Sequence, residues 1–430
     1  MLTLSIFLVL LALILLDLPL AVALGLTAVG FFVGMGQGRF LAMLPQRMYA
    51  GTTGFTLLAI PFFILAGNLM NTGGITNRIF RFARALFGHF SGGLGQVSVI
   101  SSMIFSGMSG SAVADAAGLG QVQHKAMVDN GYKPTISAAI VAAASTIGPV
   151  IPPSIPFVLY GALTGVSVAR LFLAGFVPGV MMGLVLMFVI YLMAKPRGFP
   201  KSPRASLREL GSSLVGGFLP LMAPVIIIGG ITFGYFTPTE ASVVACIYAI
   251  VLGFIYKDLK LRDLPDVFWA SAKQSVGLMF IMGAANFFGW LTIYRRIPDN
   301  IIVGLTTMSA SNAGIYAIII VIMLCLGFFL EGNAIFLITI PIFLPVATSY
   351  GLDLINMGVV MTLLIMIGNL CPPVGMCLYA VSSFSRISIL DLARECWPYI
   401  LGILAITILL AYVPQISTWL PNLVMGRALS

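Results

Sequence analysis

Ile147-Gly-Pro-Val-Ile-Pro-Pro153 and, 220 residues later, Ile367-Gly-Asn-Leu-Cys-Pro-Pro373 are the stretches on which the fold turns. Each lies inside an apolar segment, Ile140 to Leu163 and Val359 to Val381. Pro149, Pro152, Pro153 and Pro156 interrupt the first segment, and Pro372 and Pro373 the second. A proline inside a helix removes an amide donor and collides with the preceding turn, so neither segment reads as one continuous helix. The interruption leaves free carbonyls and half-helix ends. Half-helix C-termini carry partial negative charge suited to a cation, and N-termini partial positive charge suited to a carboxylate.

Three further landmarks recur in the same order. Pro19 in Asp17-Leu-Pro-Leu-Ala21 pairs with Pro238 in Thr237-Pro-Thr-Glu-Ala241, Asn68 with Asn286, and Ser109-Gly-Ser-Ala112 with Glu331-Gly-Asn-Ala334, at offsets of 219, 218 and 222. In a chain with 46 glycines one such match says little, but four in order at nearly one spacing indicate a duplication. The expected units are residues 1–205 and 206–430, joined near the polar stretch Lys195 to Ser213. Each is expected to hold a hairpin (91–123; 314–346) and a broken helix (134–165; 354–381).

The hairpins follow from a second kind of interruption. Between Ser91 and Gln123 the apolar run is cut at Ser106-Gly-Met-Ser-Gly-Ser111, and the later equivalent turns at Glu331-Gly-Asn333. The pieces on either side are shorter than the ~20 residues a crossing needs. Re-entrant hairpins are therefore expected, because irregular backbone at membrane depth survives only inside protein or along a wet cavity. Two such tips meeting at the midplane describe a binding site.

Composition sets the solvent. Hydrophobic residues make up 60% of the chain and charged residues 8%, against roughly a quarter charged in soluble domains. Apolar runs recur from end to end, giving about eleven expected crossings. The run Met1 to Leu16 lacks a basic start and ends at Asp17-Leu18-Pro19, so it reads as a membrane helix and not as a cleaved signal. A net charge of +9 would suggest nucleic acid in a soluble protein; here the placement of the charges matters more. With the N-terminus outside, only Arg39, Arg47, Arg170, Arg295, Arg296 and Arg427 of the 22 basic residues face out, so 16, Lys273 among them, face in. The two halves then run in opposite directions. The expected fold is an all-α integral membrane protein with inverted repeats, the pattern of alternating-access carriers. The five cysteines, Cys246, Cys325, Cys371, Cys377 and Cys396, lack ligand spacing, so neither a disulfide framework nor a metal cofactor is expected.

Neutral oxygens crowd the interruptions and suit a hard cation, sodium. The first expected sodium site draws on Ser106, Ser109, Gly110, Ser111, Ser145, Thr146, Gly148 and Pro149, the second on Gly332, Asn333, Gly368, Asn369 and Cys371. An acidic substrate is expected between the tips, near Ser111, Asp115, Pro152, Pro153, Glu331, Asn333, Pro372 and Pro373. A proton-coupled carrier would use buried carboxylates, and Asp115 and Glu331 are the ones available. The local reading makes Asp115 a hydrogen-bonded group within its hairpin and Glu331 a helix cap. Glu240 belongs to a capping box, Thr237-Pro-Thr-Glu240, and is assigned to structure.

Gly234-Tyr-Phe-Thr-Pro-Thr-Glu-Ala241, Ile151-Pro-Pro-Ser-Ile-Pro156 with Tyr160-Gly161, and Ile60-Pro-Phe-Phe-Ile-Leu-Ala-Gly-Asn68 resemble the large membrane subunit, DctM type, of tripartite ATP-independent periplasmic (TRAP) transporters. The resemblance runs over essentially the whole chain. It implies an elevator-type transporter in a bacterial inner membrane, with a transport domain of both hairpins and both broken helices sliding against a scaffold. It also implies a small four-helix membrane subunit on a separate polypeptide and a soluble periplasmic substrate-binding protein. Members carry carboxylates such as C4-dicarboxylates and sialic acid with sodium, and a sialic-acid-like sugar acid is the expected cargo.

Other classes are separable. An intramembrane enzyme would need a catalytic constellation, whereas His89 and His124 stand alone and no His-Glu-x-x-His occurs. No Gly-x4-Gly-Lys-Ser/Thr is present, so an ATP-driven importer would have to borrow its ATPase, which ATP dependence of uptake tests. A channel differs by neither saturating nor running uphill.

Overall fold

The computed structural model describes residues 2–16, 18–200, 203–307 and 311–426; Met1, Asp17, Lys201 and Arg427 of the sequence reading lie outside the described residues. Among the described residues every regular element is helical. Apolar α1 (Leu2–Leu15) and α2 (Leu20–Gly34) lead through short α3 (Leu44–Ala50) to α4 (Ala59–Thr72) and amphipathic α5 (Ile75–Phe87). Then come α6 (Gly93–Ser109), α7 (Ala112–Ala117) and α8 (Leu119–Asp129), followed by α9 (Pro134–Ser145) and α10 (Ile155–Thr164). Long α11 (Val168–Ala194), α12 (Leu207–Thr232), α13 (Pro238–Ile255) and α14 (Leu264–Tyr294) precede the short α15 (Ile297–Thr307). The chain closes with α16 (Asn312–Gly327), α17 (Gly332–Ser349), α18 (Leu354–Gly368), α19 (Met376–Ser385), α20 (Ile389–Tyr412) and α21 (Gln415–Met425).

Among the described residues seven helical segments are long and apolar enough to cross a bilayer: α11, α12, α13, α17, α20, and α4 and α14 with the short turns preceding them. The sequence reading counted about eleven. The difference lies in helices such as α2, α9, α16 and α18, which are apolar but span 15, 12, 16 and 15 residues. Phe188, Tyr191, Val215, Phe218, Val276 and Phe280 are exposed on α11, α12 and α14. An outer surface of that kind is stable against hydrocarbon, not water.

Several helix starts are capped by side chains of the chain itself, which serve free amides where water cannot. Ser154, Ser167, Ser311, Glu331 and Asp353 each accept the backbone N–H three residues on. The Thr237–Glu240 box is present in both directions, with Pro238 at the first helical position. Glu240 is thus a structural residue, in agreement with the sequence reading.

Two groups of helices pack side by side. In one, α4 lies along α13, α2 along α14 and α5 along α12. In the other, helices distant in the chain interlock: α10 packs on α17, and α19 packs on α7 and α9. The Tyr160 hydroxyl on α10 donates to the Leu354 carbonyl at the start of α18, at 2.7 Å. Helices α16 and α18 cross where Gly327 meets Gly368, and a Cβ on Gly368 would come within 2.9 Å of Gly327 Cα. Gly368→Val should therefore lower the melting temperature of the detergent-solubilised protein, at a cost of about 1–3 kcal/mol. Gly229→Val, where nothing lies within 4 Å of the added Cβ, should not. Equal thermal stability of the two variants would show that the crossing is not tight.

Candidate functional site

Helix α6 stops because Gly110 adopts φ +64°, the left-handed region open to glycine. Ser111 restarts the chain as the cap of α7, accepting from Ala114 N at 3.4 Å. The Gly110 carbonyl accepts from Ile155 N at 3.3 Å, tying this tip to the start of α10. In the later half Phe328 O accepts from Val374 N, also at 3.3 Å. Glu331 caps α17: one oxygen accepts from Ala334 N at 3.2 Å and the other from Asn333 Nδ2 at 2.9 Å. That is the capping role read from the sequence.

Residues 146–154 between α9 and α10, and 369–375 between α18 and α19, form turns and bends and not continuous helix. The Ser154 hydroxyl donates to the Pro149 carbonyl, and the Asn369 carbonyl accepts from Cys377 N at 3.2 Å. The Pro152–Pro153 and Pro372–Pro373 peptide bonds are both cis.

The two tips meet. Gly110, Ser111, Pro149, Glu331, Gly332, Asn333 and Asn369 line one small cavity of about 50 Å³. Ser111, Glu331 and Asn333 also wall a larger cavity of about 470 Å³, together with Ser109, Asn68, Lys273, Gln274 and Met376. Ser111 and Glu331, the caps of two helix starts, thus line a shared space.

Other candidates sit behind this wall. Asp115 is buried; the Ser109 hydroxyl donates to one carboxyl oxygen, as the hairpin reading anticipated, and the other has no hydrogen-bond partner. That second oxygen faces Gly148, where an added Cβ would collide with it and come 3.2 Å from the Ser145 carbonyl. Asp115, Ser109, Ser145 and Gly148 therefore form one buried oxygen-rich cluster. The hydroxyls of Ser106, Ser145 and Thr146 donate back to Ser102 O, Ala142 O and Ala143 O. Gly368 lies at the α16–α18 crossing and Cys371 is buried. Asp115, Pro152, Pro153, Pro372 and Pro373 line neither cavity.

Asn68, Lys273 and Gln274 line the larger cavity without having been picked out as ligands. Asn68 had a signal in its recurrence as Asn286; its side-chain amide donates to Ser271 Oγ on α14 at 2.8 Å. Lys273 had been counted among loop cations, but α14 extends over 31 residues and carries it into the cavity wall.

Residues 7–416 match the family described as tripartite ATP-independent periplasmic transporter, DctM component. The chain belongs to that family. The sialic acid TRAP transporter large permease protein SiaM of Vibrio cholerae is 39% identical over 410 residues, covering 95% of this chain and 96% of that protein. The C4-dicarboxylate TRAP transporter large permease protein DctM of Pseudomonas aeruginosa is 40% identical over 380 residues, 88% of this chain and 89% of that one. The 2,3-diketo-L-gulonate TRAP transporter large permease protein YiaN of Escherichia coli is 35% identical over 402 residues, 93% and 94% respectively. In fold, the chain is similar to the Alcanivorax borkumensis YdaH transporter, with a TM-score of 0.64 at 15% identity over 90% of both chains. It is also similar to Neisseria gonorrhoeae MtrF, with a TM-score of 0.57 at 14% identity over 91% of this chain and 85% of that one. As a DctM component the protein is a transport subunit and not an enzyme, and it is a multi-pass integral membrane protein.

Proposed function

We propose that this DctM component is the large subunit of a carrier that imports an organic acid on a sodium gradient. The supporting observation is the meeting of two capped turns, Gly110–Ser111 and Glu331–Asn333, with two unwound segments around shared cavities. Capped helix starts suit the carboxylate, and unwound carbonyls with the Asp115–Ser109–Ser145–Gly148 cluster suit a hard cation. In this reading the hairpins are re-entrant and the halves are inverted repeats making about eleven crossings in all. The interlocked group of helices moves as an elevator against the group around α4, α13 and α14. The protein sits in a bacterial inner membrane with its N-terminus periplasmic. It works with a small four-helix membrane subunit and a periplasmic binding protein. The relatives named above handle sialic acid, C4-dicarboxylates and 2,3-diketo-L-gulonate, and a sialic-acid-like monocarboxylate is the proposed cargo.

One sodium ion per half makes two, so a monocarboxylate enters with net positive charge. An inside-negative potential, worth ~2.3 kcal/mol per charge per 100 mV, would then drive accumulation. Proteoliposomes holding both membrane subunits should take up sialic acid saturably and uphill, without ATP, only when the binding protein is added. Equal uptake without that protein, or uptake that follows ATP, would overturn the assignment.

A further inference from the structure

Lys273 is the tenth residue of α14, about 14 Å along the helix at 1.5 Å per residue. Positions 273, 274, 277, 278 and 281 share one helical face. All five line the 470 Å³ cavity. The next face, with Ala272, Ser275, Val276 and Met279, borders a separate apolar groove. Lys273 therefore belongs to the chamber that Ser111, Glu331 and Asn333 also line, and not to the separate apolar groove.

Among the described residues Lys273 makes no ion pair and no hydrogen bond. The other charged residue in that wall is Glu331, whose oxygens accept from Ala334 N and Asn333 Nδ2. Ser111 and Asn333, which are neutral, line the same cavity. Asp263 and Asp266, in the turns that begin α14, line a neighbouring chamber of about 410 Å³ that shares Asn68 with the first. Of these, Asp263 already accepts from Lys260 N and pairs with Arg262. A route from the tips toward the start of α14 thus passes a free cation first and carboxylates afterwards.

We propose that Lys273 is a substrate-binding residue, the cationic contact that holds the carboxylate of the transported acid once it has left the tips toward the start of α14. The assignment rests on the transport reading above. Charge attraction favours the anion at Lys273, and the carboxylates beyond it disfavour its resting at the mouth. Lysine suits the task because its ammonium is a compact point charge on a flexible stem, able to follow the acid without fixed bidentate geometry.

The test uses the complete complex in proteoliposomes. Binding protein is added outside only, so that it engages the molecules whose periplasmic face is outward. Sialic acid, succinate and 2,3-diketo-L-gulonate serve as probes, and whichever the unaltered complex accumulates is then varied inside the vesicles. Lys273→Gln should raise by about tenfold the internal concentration that half-inhibits uptake, the scale of one charged hydrogen bond. Lys273→Arg, which keeps the positive charge, should restore most of the internal affinity. An unchanged half-inhibiting concentration in Lys273→Gln would overturn the assignment. So would an equal rise in the Gln and Arg variants, which marks a packing role. Failure of the unaltered complex to accumulate any of the three acids would be seen in the control; it would overturn the transport reading and Lys273's role with it.

Discussion

Uptake by the reconstituted complex should fall to background when sodium is replaced by choline, and an imposed proton gradient should not restore it. The buried cluster behind the first tip carries the argument. The unpaired oxygen of Asp115 lies against Gly148, near the Ser145 carbonyl, and the same carboxyl accepts from Ser109. A carboxyl group withdrawn from water with one oxygen unpaired is costly. A hard cation held by that oxygen and the neighbouring carbonyl would offset the cost. Choline is too large for such a site and offers no bare charge to coordinate. Asp115→Ala should raise the sodium concentration for half-maximal uptake by on the order of a hundredfold, the scale of losing one buried charge partner. Full-rate uptake in choline that follows a proton gradient would overturn the sodium reading and make Asp115 and Glu331 the proton carriers.

Gly110→Ala should abolish uptake, with a loss on the order of a hundredfold, the scale associated with misplacing a site by about 1 Å. Two costs coincide there. An L-residue at φ +64° is strained by roughly 1–2 kcal/mol. In addition, the new Cβ would lie 2.7 Å from the Pro153 carbonyl, which is backbone and cannot swing aside. The tip would have to retreat from α10, breaking the Gly110–Ile155 hydrogen bond and shifting Ser111 in the cavity wall. Gly165→Ala separates the two costs, because Gly165 has φ +77° with nothing within 4 Å of an added Cβ. It should lose a little thermal stability and keep its uptake. Comparable activity of both variants would show that backbone strain, not the approach to Pro153, is what Gly110 serves.

The helical class, the family and the caps at Thr237 and Glu331 were legible in the chain because they rest on properties that act locally. Proline removes an amide donor whatever lies opposite it, and Glu331 reaches an amide three residues on. Apolar composition likewise states the solvent without reference to topology. The number of long crossings was less legible, since hydropathy merges a short apolar helix with its apolar flanks; α9 and α18 read from hydropathy as parts of longer spans.

What the sequence by itself determined is a helical membrane protein of the DctM family with interruptions at Gly110, Pro149–Pro153 and Pro372–Pro373. The tertiary structure alone decided which groups share a space. Asp115 and Ser111 are four residues apart, yet one is buried beside Gly148 and the other walls the cavity. Gly368 packs on Gly327 rather than lining either cavity, and Lys273 faces the chamber although nearly every neighbour on α14 is apolar or small. The reason is physical. Burial of apolar surface is non-directional, so a helix that is apolar on most sides carries little record of which side meets a partner. That choice is made by the close packing of helices distant in the chain, where Gly327 and Gly368 permit an approach and α10 and α17 interlock.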